Sequence, residues 1–266
     1  MSSPFPDGPR GPDTTALITG ASGGIGEEFA VQLAARGVNL VLVARRAGQL
    51  EQLRAALLDR HPGLVIDVIA ADLSEPGAAA EIARQVEKAG RRIDVLINNA
   101  GAGYRGPFAG QGAERVAGQI QLNAGSVAGL TARFLPPMLE ARHGLVINVA
   151  STAAFQPIPA MAVYAATKAF VLSFTEALWQ ETQGSGVRVL ALCPGATETG
   201  FFTAAAQQPF MTRGRQTPQQ VVRTALAATG TTAPTVVSGW RNRLSVLGPR
   251  FLPRRIVPAI ARQMVR

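Results

Sequence analysis

The first segment of the chain with a clear structural signature is residues 16–26, which read ALITGASGGIG. A short aliphatic run leads into a turn with four glycines, at positions 20, 23, 24 and 26, and a helical pattern follows directly. Glycine lets the backbone turn tightly and approach a ligand closely. A helix N-terminus offers unpaired N–H groups and a partial positive charge. The segment therefore predicts a strand, an anion-binding turn and a helix; a plain strand-to-helix turn is the alternative.

The rest of the chain repeats this alternation of short aliphatic runs and longer helical patterns. Strands are predicted at residues 16–19, 39–44, 65–70, 94–98, 145–150 and 187–193. Helices are predicted at residues 27–35, 49–58, 78–88, 113–139, 162–183 and 218–228. Such alternation is typical of βαβ units. We therefore expect a single α/β domain, with a doubly wound, mostly parallel sheet of the Rossmann type and helices on both faces.

Composition and charge narrow the class of protein. Of the 266 residues, 47% are hydrophobic, which supports a substantial core, and the single cysteine, Cys193, suits a reducing compartment and excludes a disulfide framework. Together with two histidines, it predicts no metal site. The net charge of +9 is uneven, because ten arginines and no acidic residue lie from Thr199 onward. This asymmetry argues against a nucleic-acid-binding surface spread over the whole protein.

Three regions are predicted along the chain. Residues 1–13 carry prolines at 4, 6, 9 and 12 and are expected to form a flexible tail. Residues 14–238 form the α/β domain, and residues 239–266 form a basic C-terminal extension. No run reaches ~18 uninterrupted apolar residues, so a membrane-spanning helix is not expected.

The end of the second predicted strand indicates which dinucleotide the glycine turn would bind. An acidic residue there accepts hydrogen bonds from a ribose 2′-hydroxyl, whereas arginine pairs with a 2′-phosphate. The sequence has Arg45 and Arg46 at this point and no acid. Guanidinium matches phosphate bidentately. We therefore expect NADP(H), with Arg45 as the main contact and Arg46 as a second; a solvated arginine pair is the alternative.

Tyr164 and Lys168 form the strongest candidate catalytic pair. They lie four residues apart, on one face of a predicted helix. Lowering the pKa of a tyrosine from ~10 to ~7 requires about 4 kcal/mol, which an ammonium ~4 Å away supplies at an effective dielectric of ~20. Ser151, at a predicted strand end, could donate to a substrate carbonyl, although a serine there can also be a helix cap. A Ser-His-Asp hydrolase is disfavoured because His61 and His143, the two histidines of the chain, both lie outside the strand ends that would form the pocket.

Together these motifs resemble the short-chain dehydrogenase/reductase family from about residue 14 to residue 199. The residues that carry the resemblance are Thr19-Gly20-x-x-x-Gly24-x-Gly26, Asn98-Asn99-Ala100-Gly101, Asn123, Ser151, Tyr164-x-x-x-Lys168 and Pro194-Gly195. The resemblance implies that Tyr164 is the general acid or base, that Lys168 lowers its pKa and holds the nicotinamide ribose, and that Ser151 orients the carbonyl. Asn123 would kink its long helix and hold a water that relays protons to Lys168.

The resemblance also implies a set of cofactor contacts. Residues 98–101 would brace the adenosine side, Asp72 would meet the adenine, and Pro194-Gly195 would lie along the nicotinamide. Thr199 fits the usual threonine position better than Thr197, which stays open. The expected cofactor-binding set is Gly20, Ser22, Gly24, Ile25, Gly26, Arg45, Arg46, Asp72, Leu73, Asn99, Ala100, Gly101, Tyr164, Lys168, Pro194, Gly195, Thr197 and Thr199.

The implied reaction is hydride transfer between the nicotinamide and a carbonyl or secondary alcohol, in the direction of reduction. Residues 199–215 are expected to form a substrate lid, joined by Phe108, Phe155 and Met161, which indicates a lipophilic ketone or aldehyde; a place in the ordinary core is the alternative for these residues. Reduction of a 3-oxoacyl thioester is the alternative substrate class. A catalytically idle cofactor-sensing or scaffolding protein is the alternative from another class.

The basic extension predicts a short amphipathic helix from Arg255, with Ile256, Ile260 and Met264 on one face. It could lie on an anionic membrane, attract an acidic thioester or carrier, or dock on another subunit; a solvated arginine face over an ordinary packed tail is the fourth interpretation. The expected location is the cytoplasm, and contact with a membrane belongs to the first of these four interpretations. The resemblance implies a homodimer or homotetramer built from the two long helices.

Overall fold

The structure is a computed structural model that describes residue 5, residues 8–200 and residues 215–264, apart from the side chains of Arg250, Gln263 and Met264. Its strands are β1 (Thr15–Thr19), β2 (Asn39–Ala44), β3 (Ile66–Ala70), β4 (Val95–Asn98), β5 (Gly144–Val149), β6 (Val187–Cys193) and β7 (Thr235–Val237). Its helices are α1 (Gly24–Ala34), α2 (Ala47–Arg60), α3 (Ala78–Lys88), α4 (Ala113–Ile120), α5 (Ser126–Glu140), α6 (Ala162–Glu181), α7 (Pro218–Ala228), α8 (Trp240–Phe251) and α9 (Val257–Met264).

The seven strands form one parallel sheet in the order β3-β2-β1-β4-β5-β6-β7. The predicted doubly wound sheet in a single domain is confirmed. The strand order reverses between β1 and β4, which is where open α/β sheets form their ligand crevice. The sequence did not predict β7, because its three residues after Pro234 are too few to give a strand pattern.

The central strands are buried on both faces, and alternate residues enter different cores. In β1, Ile18 joins a cluster with α1, α2 and α7, whereas Leu17 joins a cluster with α3, α5 and α6. This period of two is the ordinary consequence of strand geometry. The two layers of helices hold the carboxyl ends of the strands in register.

The helix predicted for residues 113–139 is instead two helices joined by a π turn, Gln121–Gly125, at the position where the resemblance implies a kink. Asn123 lies inside this turn and is fully buried. Its Nδ2 donates to the carbonyl of Ala102 at 2.8 Å, and its Oδ1 accepts from the N–H of the same residue at 2.9 Å. These bonds tie the turn to the loop after β4.

The N-terminal segment is packed where the structure describes it, which differs from the predicted flexible tail. Phe5 is 5% exposed and joins the core cluster of α1 and α7. Its carbonyl accepts a hydrogen bond from Thr229 Oγ1 at 3.0 Å. A single aromatic residue among prolines and glycines is enough to anchor the segment, and composition does not reveal such an anchor. Residues 1–4, 6 and 7 of the predicted tail lie outside the described residues.

The C-terminal extension forms two helices rather than one. The sequence analysis missed α8, which contains Pro249, and expected Ile256 and Ile260 to form the apolar face of the last helix. Val257 and Ala261 are the buried side chains, while Ile256 and Ile260 are 42% and 44% exposed. No helix among the described residues has both the length and the apolar composition needed to cross a membrane.

Candidate active site

A cavity of about 710 Å³ lies at the carboxyl ends of the central strands. Two predicted site residues, Gly26 and Asn123, are not on its surface but pack against residues that are. The other predicted site residues all line it: Gly20, Ser22, Gly24, Ile25, Arg45, Arg46, Asp72, Leu73, Asn99, Ala100, Gly101, Ser151, Tyr164, Lys168, Pro194, Gly195, Thr197 and Thr199. Segments that are far apart in sequence therefore meet at one site.

The turn after β1 requires glycine at two positions for different reasons. Gly20 has φ +68°, a backbone conformation that residues other than glycine rarely adopt. At Gly26 a Cβ atom would lie 2.6 Å from Asn99 Nδ2 and closer still to the Gly20 carbonyl oxygen. The start of α1 can pack this closely on the turn only without a side chain at Gly26.

Thr19 and Asn99 fasten the turn after β1 to the loop after β4. Thr19 Oγ1 accepts hydrogen bonds from the backbone N–H groups of Asn99 and Ala100, at 2.9 and 3.0 Å. Asn99 Nδ2 in return donates to the Thr19 carbonyl at 2.9 Å. These bonds hold the two loops together at the point where the strand order reverses.

The N-terminus of α1 faces the cavity without a side-chain cap. Its N-cap residue, Gly23, supplies no side-chain hydrogen bond, so the first N–H groups and the positive end of the helix dipole are available to an anion. The Thr199 side chain lies over this turn, because a Cβ on Gly24 would be 2.8 Å from the Thr199 methyl carbon. Thr197 instead donates from its hydroxyl to the Gly195 carbonyl at 3.1 Å and is buried.

Two guanidinium groups stand beside the glycine turn. The side chain of Arg45 is 72% exposed, and its Nη1 lies 3.7 Å from Asp72 Oδ2. Arg46 Nη2 donates to Ser22 Oγ at 3.2 Å. Partial burial opposes the shift, but hydrogen bonds from Ser74 and the charge of Arg45 together lower the pKa of Asp72. The cavity therefore has a cationic edge next to its anion-binding turn.

The three predicted catalytic side chains meet at the middle of the cavity and are buried. The hydroxyls of Tyr164 and Ser151 are hydrogen-bonded to each other. Lys168 Nζ lies 6.0 Å from the centre of the Tyr164 ring and donates to the Val149 carbonyl at 2.7 Å. Ser151 Oγ also accepts from the Ala153 N–H at 3.1 Å, which fixes its position at the end of β5.

Burial controls the acidity of this group more strongly than the sequence argument assumed. It raises the pKa of the Tyr164 phenol, an effect that the hydrogen bond with Ser151 only opposes. It also lowers the pKa of the Lys168 ammonium to about 8. The attraction between ammonium and phenolate is therefore not sufficient to lower the pKa of Tyr164, because the phenolate also loses its hydration on burial. Tyr164 in this environment is protonated at neutral pH, as a proton donor must be.

Asn123 lies behind the catalytic group, and Gly101 lies between the two. A Cβ on Gly101 would be 3.2 Å from Asn123 Oδ1 and 3.5 Å from Lys168 Nζ. Asn123 Nδ2 also donates to Thr167 Oγ1 at 3.1 Å, next to Lys168 on α6. Gly101 therefore packs closely against both polar groups, and a side chain at this position would press on Asn123.

Asn98 does not join residues 99–101 at the cavity, which corrects the expectation that residues 98–101 all brace a cofactor. Its side chain is 2% exposed and donates to Asn148 Oδ1 at 2.8 Å and to Thr131 Oγ1 at 3.1 Å. Because it is the last residue of β4, alternation along the strand turns it toward α5. Asn98 therefore ties β4 to β5 and α5.

The C-terminal extension supplies one wall of the cavity, which sequence reasoning missed. Its lining residues are Asn242, Ser245, Val246, Gly248, Pro249, Leu252, Val257, Ile260 and Ala261. A three- to four-residue spacing of small and apolar residues in α8 was the available signal, but Pro249 made a helix there look unfavourable.

Of the side chains expected to join a lid, Phe155 and Met161 line the cavity, whereas Phe108 is 59% exposed and does not. Most of the predicted lid, residues 201–214, lies outside the described residues.

A cavity that can hold a dinucleotide at one end and present a buried phenol at the other is suited to hydride transfer, so the fold and the site define an oxidoreductase. Comparison with protein families agrees: the model of the short chain dehydrogenases matches residues 14–209. The chain belongs to this family.

Individual relatives extend the comparison. The chain is 36% identical over 187 residues to a very-long-chain 3-oxoacyl-CoA reductase from Pyrenophora tritici-repentis, covering 68% of this chain but only 54% of that protein. A short-chain dehydrogenase from Sphingobium yanoikuyae, solved in complex with NADPH, is 34% identical with a TM-score of 0.81, covering 88% of this chain and 92% of the other. The bulky-bulky ketone specific alcohol dehydrogenase from Comamonas testosteroni is 30% identical with a TM-score of 0.76, covering 90% and 99%.

Proposed function

We propose that this protein is an NADP(H)-dependent reductase that converts a lipophilic ketone or aldehyde into the alcohol. The observation that carries the proposal is the hydrogen-bonded pair of Tyr164 and Ser151, which stands between the glycine turn and the C-terminal wall. A carbonyl oxygen placed beside this pair would meet two hydroxyl donors at once.

The cofactor end of the cavity fits NADP(H). The uncapped N-terminus of α1 suits a pyrophosphate, and Arg45 and Arg46 supply the charge that an additional ribose phosphate needs. The solved relative from Sphingobium yanoikuyae is a complex with NADPH, which supports the same choice. When NADPH is bound, the carbonyl carbon receives a hydride from its dihydronicotinamide ring.

The side chains of this protein move the proton and hold the substrate. As the carbonyl carbon is reduced, the electron pair of the C=O bond moves onto oxygen, and Tyr164 Oη gives its proton to that oxygen. Ser151 donates a hydrogen bond to the same oxygen and keeps it within reach of the phenol. The Lys168 ammonium lies beside the resulting phenolate and stabilises its charge. Asn123 lies behind Lys168, on the side of Gly101 from which a water held by Asn123 would return a proton to the lysine.

The substrate end of the cavity favours an apolar compound. Met161, Val246, Val257 and Ala261 line it, and hydrophobic lining is typical of sites for lipophilic ligands. The ketone-specific relative from Comamonas testosteroni supports this class. The identity with a very-long-chain 3-oxoacyl-CoA reductase favours a 3-oxoacyl thioester as the second candidate. An idle cofactor sensor is disfavoured, because Tyr164 and Lys168 are both present and both line the cavity.

An NADPH-oxidation screen over ketones, aldehydes and 3-oxoacyl thioesters tests the proposal. Tyr164→Phe should lower kcat by about 10²- to 10⁴-fold, the usual contribution of a positioned proton donor, with little change in NADPH affinity. Tyr104→Phe is the matched control, since Tyr104 is the only other tyrosine in the chain. Equal turnover by the Tyr164→Phe variant and the wild type would contradict the proposed chemistry.

Assembly and location are part of the same proposal. A homodimer or homotetramer would form through α4, α5 and α6, where Ile120 is 48% and Phe170 44% exposed. A cytoplasmic location accords with a chain whose one cysteine, Cys193, is free and buried.

A further inference from the structure

We propose that α8 and α9 form a docking surface for an anionic lipid membrane and bring the rim of the cavity to the lipid–water interface. We call this the C-terminal surface. It consists of seven exposed apolar side chains: Trp240, Leu244, Leu247, Phe251, Leu252, Ile256 and Ile260. The inference goes beyond the proposed reaction, since lipid binding requires no turnover.

The first four of these side chains lie on one face of α8. Their positions follow the spacing i, i+4, i+7 and i+11, which places them in one stripe along a helix. Trp240, Leu244, Leu247 and Phe251 are 67%, 62%, 44% and 85% exposed. The opposite face of α8, which includes Asn242 and Val246, lines the cavity. The helix therefore carries a second apolar stripe, which faces away from the protein instead of toward its core.

The surface is concentrated and continuous with the cavity rim. Among the described residues, seven of the eleven exposed large hydrophobic side chains belong to it. Isolated exposed apolar residues are ordinary, but a contiguous patch marks a binding surface. Leu252 and Ile260 are 40% and 44% exposed and also line the cavity. An apolar path therefore runs from the outer surface of α8 and α9 to the substrate end.

Charge identifies the occupant as an anionic surface. Residues 240–266 contain seven arginines and no acidic side chain. The Arg241 guanidinium lies 5.3 Å from the centre of the Trp240 ring, and Arg254 and Arg255 are exposed between the two helices. Tryptophan and arginine beside an apolar stripe are the side chains that amphipathic helices use at anionic interfaces.

A second copy of the chain fits this surface poorly. A two-fold contact would bring the same patch of both subunits together. The arginines would then face arginines, with no acidic side chain in residues 240–266 to pair with them. Anionic headgroups supply the missing negative charge, and acyl chains supply the apolar contact. Membrane contact then lets a lipophilic carbonyl enter the cavity without crossing water.

Co-sedimentation of the full-length protein with vesicles tests the proposal. Phosphatidylcholine vesicles containing phosphatidylserine should bind the protein, vesicles of phosphatidylcholine alone should bind it much less, and binding should fall as salt shortens the Debye length. Trp240 provides a local readout: in a Trp179→Phe background its emission should shift to the blue on binding, because Trp240 is then the only tryptophan.

Two sets of variants separate the apolar and charged contributions. Leu244→Ser/Leu247→Ser/Phe251→Ser should lower vesicle affinity at least tenfold, with Val65→Ser/Phe108→Ser as the control of exposed apolar residues elsewhere. Arg254→Gln/Arg255→Gln should lower it about twenty-five-fold, at roughly fivefold per charge, with Arg60→Gln/Arg84→Gln as the control. The stripe residues do not line the cavity, so turnover of a water-soluble carbonyl should be unchanged in the triple variant.

Three results would overturn the proposal. One is vesicle binding that does not depend on anionic lipid. Another is equal loss of binding in the control variants. The third is an oligomer that the stripe substitutions dissociate without any effect on vesicles. Because binding is measured without substrate, an inactive protein that still binds vesicles would refute only the proposed reaction.

Discussion

Replacing both arginines beside the glycine turn tests the choice of cofactor most directly. The 2′-phosphate of NADPH carries a charge of about −1.5 to −2 at neutral pH, as phosphate monoesters do. Arg45 is 72% exposed, so the interaction is estimated with the dielectric of water, which gives about 1 kcal/mol for two unit charges ~4 Å apart. Each arginine then contributes about 1.5–2 kcal/mol. Arg45→Ala/Arg46→Ala should weaken NADPH binding by roughly 3–4 kcal/mol, a factor of several hundred.

NADH lacks this phosphate, so the same double variant should change NADH affinity only slightly. Titrating the fluorescence of each reduced dinucleotide at fixed low salt gives both dissociation constants. Arg54→Ala/Arg60→Ala removes two charges from α2, the helix that follows the arginine pair, away from the turn, and should leave both constants nearly unchanged. The reasoning is refuted if the two dinucleotides lose affinity equally, or if the wild type binds NADH as tightly as NADPH.

Three further predictions follow from the geometry. Alcohol oxidation needs the phenolate, and because burial raises the pKa of Tyr164, its rate should increase with pH throughout the neutral range. The rate of carbonyl reduction should instead fall as the Lys168 ammonium loses its proton near pH 8. Profiles of kcat/KM against pH in both directions check these two trends. Thr19→Val should lower the free energy of unfolding by about 2–4 kcal/mol in urea titrations, since two backbone N–H groups lose their acceptor, whereas Thr15→Val, on the same strand, should have a smaller effect. Ser245→Phe should raise KM for bulky ketones without altering NADPH affinity, because Ser245 lines the cavity on the C-terminal wall; equal effects on both constants would contradict that placement.

The sequence predicted the sheet and the residues at the cofactor end of the cavity because these depend on local chemistry. Thr19 to Gly26 form a strand end and a turn that requires glycine at two positions, and Tyr164 and Lys168 share a helical face by spacing alone. Short-range patterns therefore suffice where a single segment of the chain forms the feature, as in the glycine turn and the Tyr164–Lys168 pair.

The cavity wall formed by α8 and α9 could not be predicted, because the spacing of residues in the sequence does not show where these helices pack. Val246 and Ala261 become cavity residues only because the late helices fold back onto the sheet end, where α8 contacts β7 and the turn after β5, and no local pattern gives the direction of that return. The acidity of Tyr164 was misjudged for a related reason. Its burial results from packing against Ala153, Ile158 and Met161 in the segment that folds back before α6, and desolvation cannot be counted before that packing is known.

The π turn at residues 121–125 sets the phase between the two halves of a long helical segment. Each added residue rotates the following side chains by about 100°, so deleting one residue within the turn would return α5 to the rotation of an uninterrupted helix. Phe134 and Met138 would then point away from the sheet, while Asn123 would lose its hold on the loop after β4. A deletion there should be far more harmful than any single replacement, since the one inserted residue keeps both the interior packing of α5 and the hydrogen bonds of Asn123 in place.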